Sequence, residues 1–375
     1  MNRTVYIVAG EVSGDMHGAE VMQALPGVTF HGLGGARMAG LSAGVRDWVD
    51  DAAVMGIGAV LRRYPWFKEQ MERMVEEVVA LKPAVLLLVD YQGFNLRLAT
   101  RVKARLSGTT VIQYVAPQVW AWNQRRMPRV VAAYDRLICL FPFEVEIFQK
   151  AGLPSVCLGH PLVDELRDDE NEKGRGKGRE KGLIALLPGS RVREVTRIFP
   201  VLLEVVKRLS RSFPELRFET AAATHETGEM IVNYLKKSGL EGRVVLSDSS
   251  ARNLMRRAEL GVVASGTATL EAAMLGLPFC LIYRTDALTW LVARQVVRLN
   301  HIGLANILAG REVVPEFLQQ EGNAYEVAWW LAQQWQCPAA REALSEDLRQ
   351  VAQQLGKPGV HDRIAAEVEK FLPPA

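Results

Sequence analysis

Short, mostly apolar runs recur along the chain, each closed by a glycine or polar turn and followed by an amphipathic stretch. Val5–Ala9, Val28–Leu33, Ala84–Val89, Val111–Val115, Leu137–Phe141 and Ser155–Leu158 are the first six. Ala84–Val89 is continuous, without alternation, as expected of a parallel strand covered on both faces. After the first run, Ala19, Val21, Met22 and Leu25 fall at helical spacing. The repeated order of strand, loop and helix predicts an α/β fold, a doubly wound parallel sheet joined by right-handed crossovers.

The pattern stops after Leu166. Arg167–Gly182 reads RDDENEKGRGKGREKG, with no apolar residue, and is expected to be a solvated linker. It then restarts. Leu183–Leu187 predicts a strand, PGSR a loop, and Val195–Leu209 a helix with Ile198, Leu202, Val205, Val206 and Leu209 on one face. The expected organisation is a first α/β domain over 1–166, a linker over 167–182, a second α/β domain over 183–340 and C-terminal helices over 341–375. Those last helices are expected to cross to the first domain or to a partner subunit. Trp329, Trp330, Trp335, Leu344 and Leu348 are their expected packing residues. In such an architecture two sheets face one another across a cleft, with ligands at the carboxyl ends of the strands.

Composition narrows the picture. A chain of 375 residues exceeds one ordinary core. With 49% hydrophobic and 23% charged residues it is of ordinary globular type, and a net charge of +3 gives no reason to expect nucleic acid. The four cysteines, Cys139, Cys157, Cys280 and Cys337, are far apart and read as reduced core residues. The six histidines show no HxxxH or HExxH pairing, so no metal is expected. No run reaches the roughly 18 apolar residues of a membrane span, so any contact with a bilayer is expected from the side.

Chemistry is then sought at the strand ends. Leu260–Pro278 is a strand, a turn and a helix, and Ser265, Gly266 and Thr267 expose amides suited to a phosphate. Glu271, one turn into that helix, is placed to accept from ribose hydroxyls. Gly189, Ser190 and Arg191 lie at the first strand end of the second domain, where an arginine would steady a departing diphosphate; Arg193 and Glu194 fit the helix start. Asp90 ends a buried strand and reads as a general base or as a cap. Asn95 would orient substrate or cap. Glu11, Ser13, Asp15 and His17 crowd one loop and suit sugar hydroxyls, with Asp15 or His17 as the alternative base. Trp120, Trp122, Arg125, Arg126 and Arg129 would stack bases or grip an acylated sugar phosphate; the weak basic surface favours the second. Arg284, Trp290, Arg294, Arg298, Asn300 and Asn306 form a comparable cluster. In Met55–Met74, Val60, Leu61, Trp66 and Phe67 are interleaved with Arg62 and Arg63. Two readings fit: a helix on the sheet with Pro65 opening a second helix, or a patch that enters a bilayer interface.

The segments AGEVSGDMHGAE, VMGIGAVL, YVAPQVWAWNQRR, LGHPLVDE, LLPGSRVREV, ASGTATLEAAMLGLP and LANILAGREVVPEFLQ together resemble the lipid-A-disaccharide synthase family. The likeness runs in order through both halves to about Gln320. It implies a GT-B fold of two Rossmann-like domains and an inverting glycosyltransferase without cofactor. The implied reaction moves 2,3-diacylglucosamine from UDP-2,3-diacylglucosamine to 2,3-diacylglucosamine 1-phosphate (lipid X), giving a β-1,6 disaccharide and UDP. Asp90 matches the family's key aspartate, Arg191 its phosphate-binding arginine, and Glu271 and Asn306 its nucleotide-side motifs. Where the family reads D-A-P-D-F-N, this chain has Asp90-Tyr-Gln-Gly-Phe-Asn95, so Gly93 replaces the second acid. The resemblance further implies a peripheral protein on the cytoplasmic face of the inner membrane of a Gram-negative-type cell, without nucleic acid, and allows a homodimer. The alternatives are another GT-B enzyme acting on UDP-N-acetylglucosamine, such as an epimerase or a peptidoglycan-type transferase, and a non-catalytic lipid-binding homologue.

Overall fold

The computed structural model describes residues 3–52, 57–173, 178–286, 300–319 and 323–374, with side chains excepted at 57–62, 122 and 168–173. The chain forms two compact units, Met1–Glu165 with Leu355–Ala375, and Leu166–Gln354.

The first unit is built on β1 (Thr4–Ala9), β2 (Thr29–Gly34), β3 (Val45–Asp47), β4 (Val85–Val89), β5 (Thr110–Tyr114), β6 (Arg136–Cys139) and β7 (Ser155–Cys157). They form a seven-stranded sheet in the order β3-β2-β1-β4-β5-β6-β7, parallel throughout. Every residue of Val85–Val89 is fully buried, which is why that run carries no polar position. Helix Val12–Gln23 packs with the C-terminal helix Val360–Glu369, and helix Ile57–Leu81 packs with Gln92–Arg105.

The second unit is built on β8 (Glu180–Leu187), β9 (Arg217–Thr220), β10 (Val244–Leu246), β11 (Ala258–Ala264), β12 (Phe279–Tyr283) and β13 (Glu316–Leu318). Its six strands are parallel in the order β10-β9-β8-β11-β12-β13. Successive residues of β8 serve two cores. Ile184 and Leu186 join Ile198, Leu202 and Val206 of helix Val192–Ser212, while Leu183, Ala185 and Leu187 join Ala272, Ala273 and Leu277. The period-two alternation of a strand thus turns one apolar run into two packed layers.

Three expectations change. Pro65 lies inside one continuous helix, Ile57–Leu81, and opens no second one; the helix tolerates the missing N–H and continues. The linker expected over 167–182 shortens from both sides. Helix Leu162–Lys173 runs into it, since Glu, Lys and Arg are good helix formers, and β8 begins at Glu180. Arg179 is tied to the second unit by bonds to the carbonyls of Met255 (3.1 Å), Ala258 (2.5 Å) and Leu275 (2.7 Å). Finally, the C-terminal segment divides at Leu355 instead of 341. Helix Pro338–Gln353 stays with the second unit, and only Leu355–Ala375 belongs to the first. Of the expected packing residues there, Leu348 is fully buried, whereas Trp329 is 53% exposed.

Candidate active site

In each sheet the strand order reverses once, and the loops leaving the two strands at that point diverge to form a crevice. In the first unit the reversal lies between β1 and β4, so the flanking loops begin at Gly10 and Asp90. In the second it lies between β8 and β11, flanked by Pro188–Arg191 and Ser265–Thr267.

Asp90 is half-buried immediately beyond β4. Burial, and then the charge of Glu11, push its carboxyl up to about 6, against a bond from the Tyr91 amide that favours the ionised form. Glu11 is exposed at the start of helix Val12–Gln23. Tyr91 lies over Gly10 so closely that a Cβ there would meet its ring at 2.4 Å, so the loop after β1 requires glycine at that point. A carboxylate of this strength near neutral pH is suited to take a proton from an alcohol.

The neighbouring acids and polar groups have other work. The Asp15 carboxylate is buried and accepts from the amides of Gly35 (2.7 Å), Arg37 (3.1 Å) and Met38 (3.1 Å), capping helix Ala36–Leu41. It is therefore not a free base. His17 stacks on His361 with ring centroids 5.5 Å apart. Burial, then His361 and His160, push it down to about 3, so it stays neutral and weakly basic. His361 in turn lies 3.4 Å from Asp164. Asn95 is buried and donates to the Asp90 carbonyl at 2.8 Å, so it braces the loop. Ser13 is exposed.

Trp120 is buried, donates to Glu144 at 3.1 Å and meets Phe143 edge-on, so it is a packing residue and offers no stacking face. Arg125 and Arg126 are exposed on the turn Gln124–Arg126; the Trp122 side chain lies outside the described residues, as do those of Val60, Leu61 and Arg62. Arg63 and Tyr64 are exposed, with the Arg63 guanidinium 5.6 Å above the Trp66 ring. Trp66 and Phe67 are half-buried in a cluster that the sequence did not reveal. Trp66 stacks on Trp48 (5.9 Å), Phe67 meets Phe94 (6.3 Å), and Tyr91 meets both Trp48 (5.9 Å) and Phe94 (5.6 Å). The only early signal was the spacing of Tyr91 and Phe94 on the first turn after β4.

In the second unit Gly189 has φ 108° and lies beside the Glu194 carboxylate, where a Cβ would meet Oε2 at 2.3 Å. Glu194 Oε2 accepts from the amides of Ser190 (2.9 Å) and Arg191 (3.2 Å). Those amides are thus occupied by the helix's own cap, while the exposed Arg191 guanidinium lies 3.3 Å from the other oxygen of the same Glu194 carboxylate. Gly266 and Thr267 are exposed and Ser265 half-buried. Glu271 is held by Arg252 at 2.6 Å. Asn306 is buried with all four side-chain hydrogen-bonding positions filled. It donates to Val314 O (2.8 Å) and Glu316 Oε1 (2.9 Å), and accepts from the amides of Val313 (2.8 Å) and Val314 (3.0 Å). Its geometry is that of a loop brace and leaves no bond for a nucleotide. Trp290, Arg294 and Arg298 lie outside the described residues. Among the described residues no group of three or more His, Cys, Asp or Glu is placed to hold a metal, and no helix is long and apolar enough to cross a membrane.

A family model described as lipid-A-disaccharide synthetase matches residues 5–362. The chain is similar to the lipid-A-disaccharide synthase of Geobacter sulfurreducens, 36% identical over 378 residues, with 98% of this chain and 97% of that protein covered. It is likewise similar to that of Myxococcus xanthus, 35% identical with 99% and 98% covered. Among solved structures it is similar to UDP-GlcNAc 2-epimerase from Neisseria meningitidis bound to UDP-GlcNAc, with TM-score 0.60, 12% identity, and 98% and 100% covered. It is also similar to the N-terminal domain of Candida albicans trehalose-6-phosphate phosphatase, with TM-score 0.56, 10% identity, and 99% and 97% covered. These two structures speak to fold alone.

Proposed function

This chain belongs to the lipid-A-disaccharide synthase family, and from that premise we propose how its two switch points divide the transfer. It is a glycosyltransferase of GT-B fold that uses a UDP-sugar and an acylated sugar phosphate. The reaction is the transfer of 2,3-diacylglucosamine from its UDP derivative to the 6-hydroxyl of 2,3-diacylglucosamine 1-phosphate. An α-linked donor giving a β product requires one inverting displacement. In this reading Asp90 removes the proton from the 6-hydroxyl as the oxygen attacks the anomeric carbon. The leaving UDP takes the bonding electron pair, and its charge is met by Arg191 and by the Ser265–Thr267 turn. Glu271, fixed by Arg252, receives the ribose hydroxyls. Gly93 in place of the second family acid leaves this mechanism intact, because a single displacement needs one base.

The observation that carries the assignment is Asp90 itself: a half-buried carboxylate at the switch point, pushed up to about 6. General-base catalysis contributes roughly 10²–10⁴-fold. Asp90→Asn is therefore expected to lower turnover by about that factor while UDP binding, measured by calorimetry, stays unchanged. Undiminished UDP release in that variant would remove Asp90 from the role. The acyl chains of both substrates call for work at a membrane surface. We assign the exposed Arg63 and Tyr64 as part of the edge that meets the cytoplasmic face of the inner membrane.

A further inference from the structure

Three non-glycine residues in the left-handed region adjoin one another at neighbouring strand ends of the first unit: Asp90 (φ 49°), Tyr91 (φ 43°) and Val115 (φ 72°). A β-branched residue such as Val115 is especially unsuited to that region. Strain of this kind persists only where surrounding contacts enforce it, and it gathers at functional sites. The enforcing contact here is Gln113 on β5. Its side chain is fully buried, and Nε2 lies 3.0 Å from the carbonyl oxygen of Asp90, 3.0 Å from that of Tyr114 and 3.2 Å from that of Val115. Three acceptors around one nitrogen decide which end of the amide faces them. Asn95 approaches the same Asp90 carbonyl from the other side, while the Asp90 amide donates to Tyr114 O at 2.9 Å. Both backbone polar groups of Asp90 are therefore tied down.

The other ends of these amides tell against a purely stabilising role. Gln113 Oε1 and Asn95 Oδ1 are buried with no hydrogen-bond partner among the described residues. A buried acceptor left unpaired is unfavourable, and an apolar side chain of the same size would avoid it. What an apolar side chain would lose is the grip on the Asp90 carbonyl. We propose that Gln113 is a positioning residue for this transferase, its buried amide holding the Asp90 peptide in the left-handed turn that aims the carboxylate into the crevice. This role rests on the reading of Asp90 as the base.

The test compares Gln113→Met, which keeps length and volume, Gln113→Glu, which keeps shape but removes the donor when ionised, and Asp90→Asn. Turnover with the UDP-sugar and the acylated sugar phosphate is measured between about pH 5 and 9, and melting temperature alongside. Both Gln113 variants are expected to lose about 10- to 100-fold in kcat, because a displaced catalytic group loses that much. KM for the UDP-sugar should stay unchanged, and the acid limb of the kcat profile should move. A packing role alone would lower the melting temperature and leave that limb in place. If Asp90→Asn is inactive while Gln113→Met turns over like the parent with an unmoved acid limb, the positioning role falls and the base survives. If Asp90→Asn remains active, both fall.

Discussion

Asp90 is held at a strength where a change of one pH unit alters its charge substantially, and its neighbour sets part of that strength. Burial and the Glu11 carboxylate both disfavour the ionised form, so both raise it, to about 6. Because the base acts when deprotonated, kcat should rise with pH through that value and then level. Removing the Glu11 charge favours the Asp90 anion, so Glu11→Gln should carry the acid limb to lower pH; a pH–rate profile checks the direction. Asp15 shows why sequence alone did not separate the two acids. Both follow a buried strand closely in sequence, but Asp15 is closed off by amides some twenty residues downstream, at Gly35, Arg37 and Met38. Asn306 is filled in the same way, by Val313, Val314 and Glu316. Membership in a motif identifies a residue that matters, whereas the filling of its bonds decides whether it can touch a ligand.

At the scale of elements, the buried strands were legible because covering on both faces leaves no room for polar positions, as Val85–Val89 shows. The short edge strands Val45–Asp47 and Glu316–Leu318 were not legible. Three residues carry too little pattern, and their place is fixed by pairing with a neighbour already present. Helix Ile57–Leu81 mixes both cases. Its aromatic residues Trp66 and Phe67 fit either packing on the sheet or a surface patch; they pack on Trp48 and Phe94, contacts that no local pattern encodes. The proposed membrane edge therefore narrows to Arg63 and Tyr64 among the described residues. Arg63→Glu with Tyr64→Ser should weaken sedimentation with anionic phosphatidylglycerol vesicles severalfold, as a basic residue near such a surface is worth about 1 kcal/mol. Unaltered sedimentation would place the interface elsewhere.

For the molecule as a whole, the C-terminal segment returns to the first unit, one of its two expected destinations, but from Leu355 and not from 341. Leu355–Ala375 belongs to the first unit. Asp164 caps helix Val360–Glu369 through the amides of Gly359 (2.6 Å) and Val360 (2.7 Å), and Arg136 pairs with Glu367 at 2.7 Å. Arg3, at the other end of the chain, bonds to Glu369 at 2.6 Å and to Pro373 O at 2.9 Å. Deletion after Gln354 should thus loosen the first unit selectively; limited proteolysis should cut within 3–165 while 178–354 resists. Equal resistance in both would mean that the segment is dispensable for folding.

That closure sets a schedule for synthesis. The ribosome makes the first unit's sheet before the second unit, but supplies helix Val360–Glu369 only after all of the second unit. At about 5–20 residues per second, some 210 residues, from 165 to 375, take roughly 10–40 s. Through that interval the nascent first domain lacks the helix that packs on Val12–Gln23, while the second domain, whose residues are contiguous, can fold as it emerges. Synthesis thus lets the second domain complete itself before the first, and the half proposed to carry the base is the half that waits.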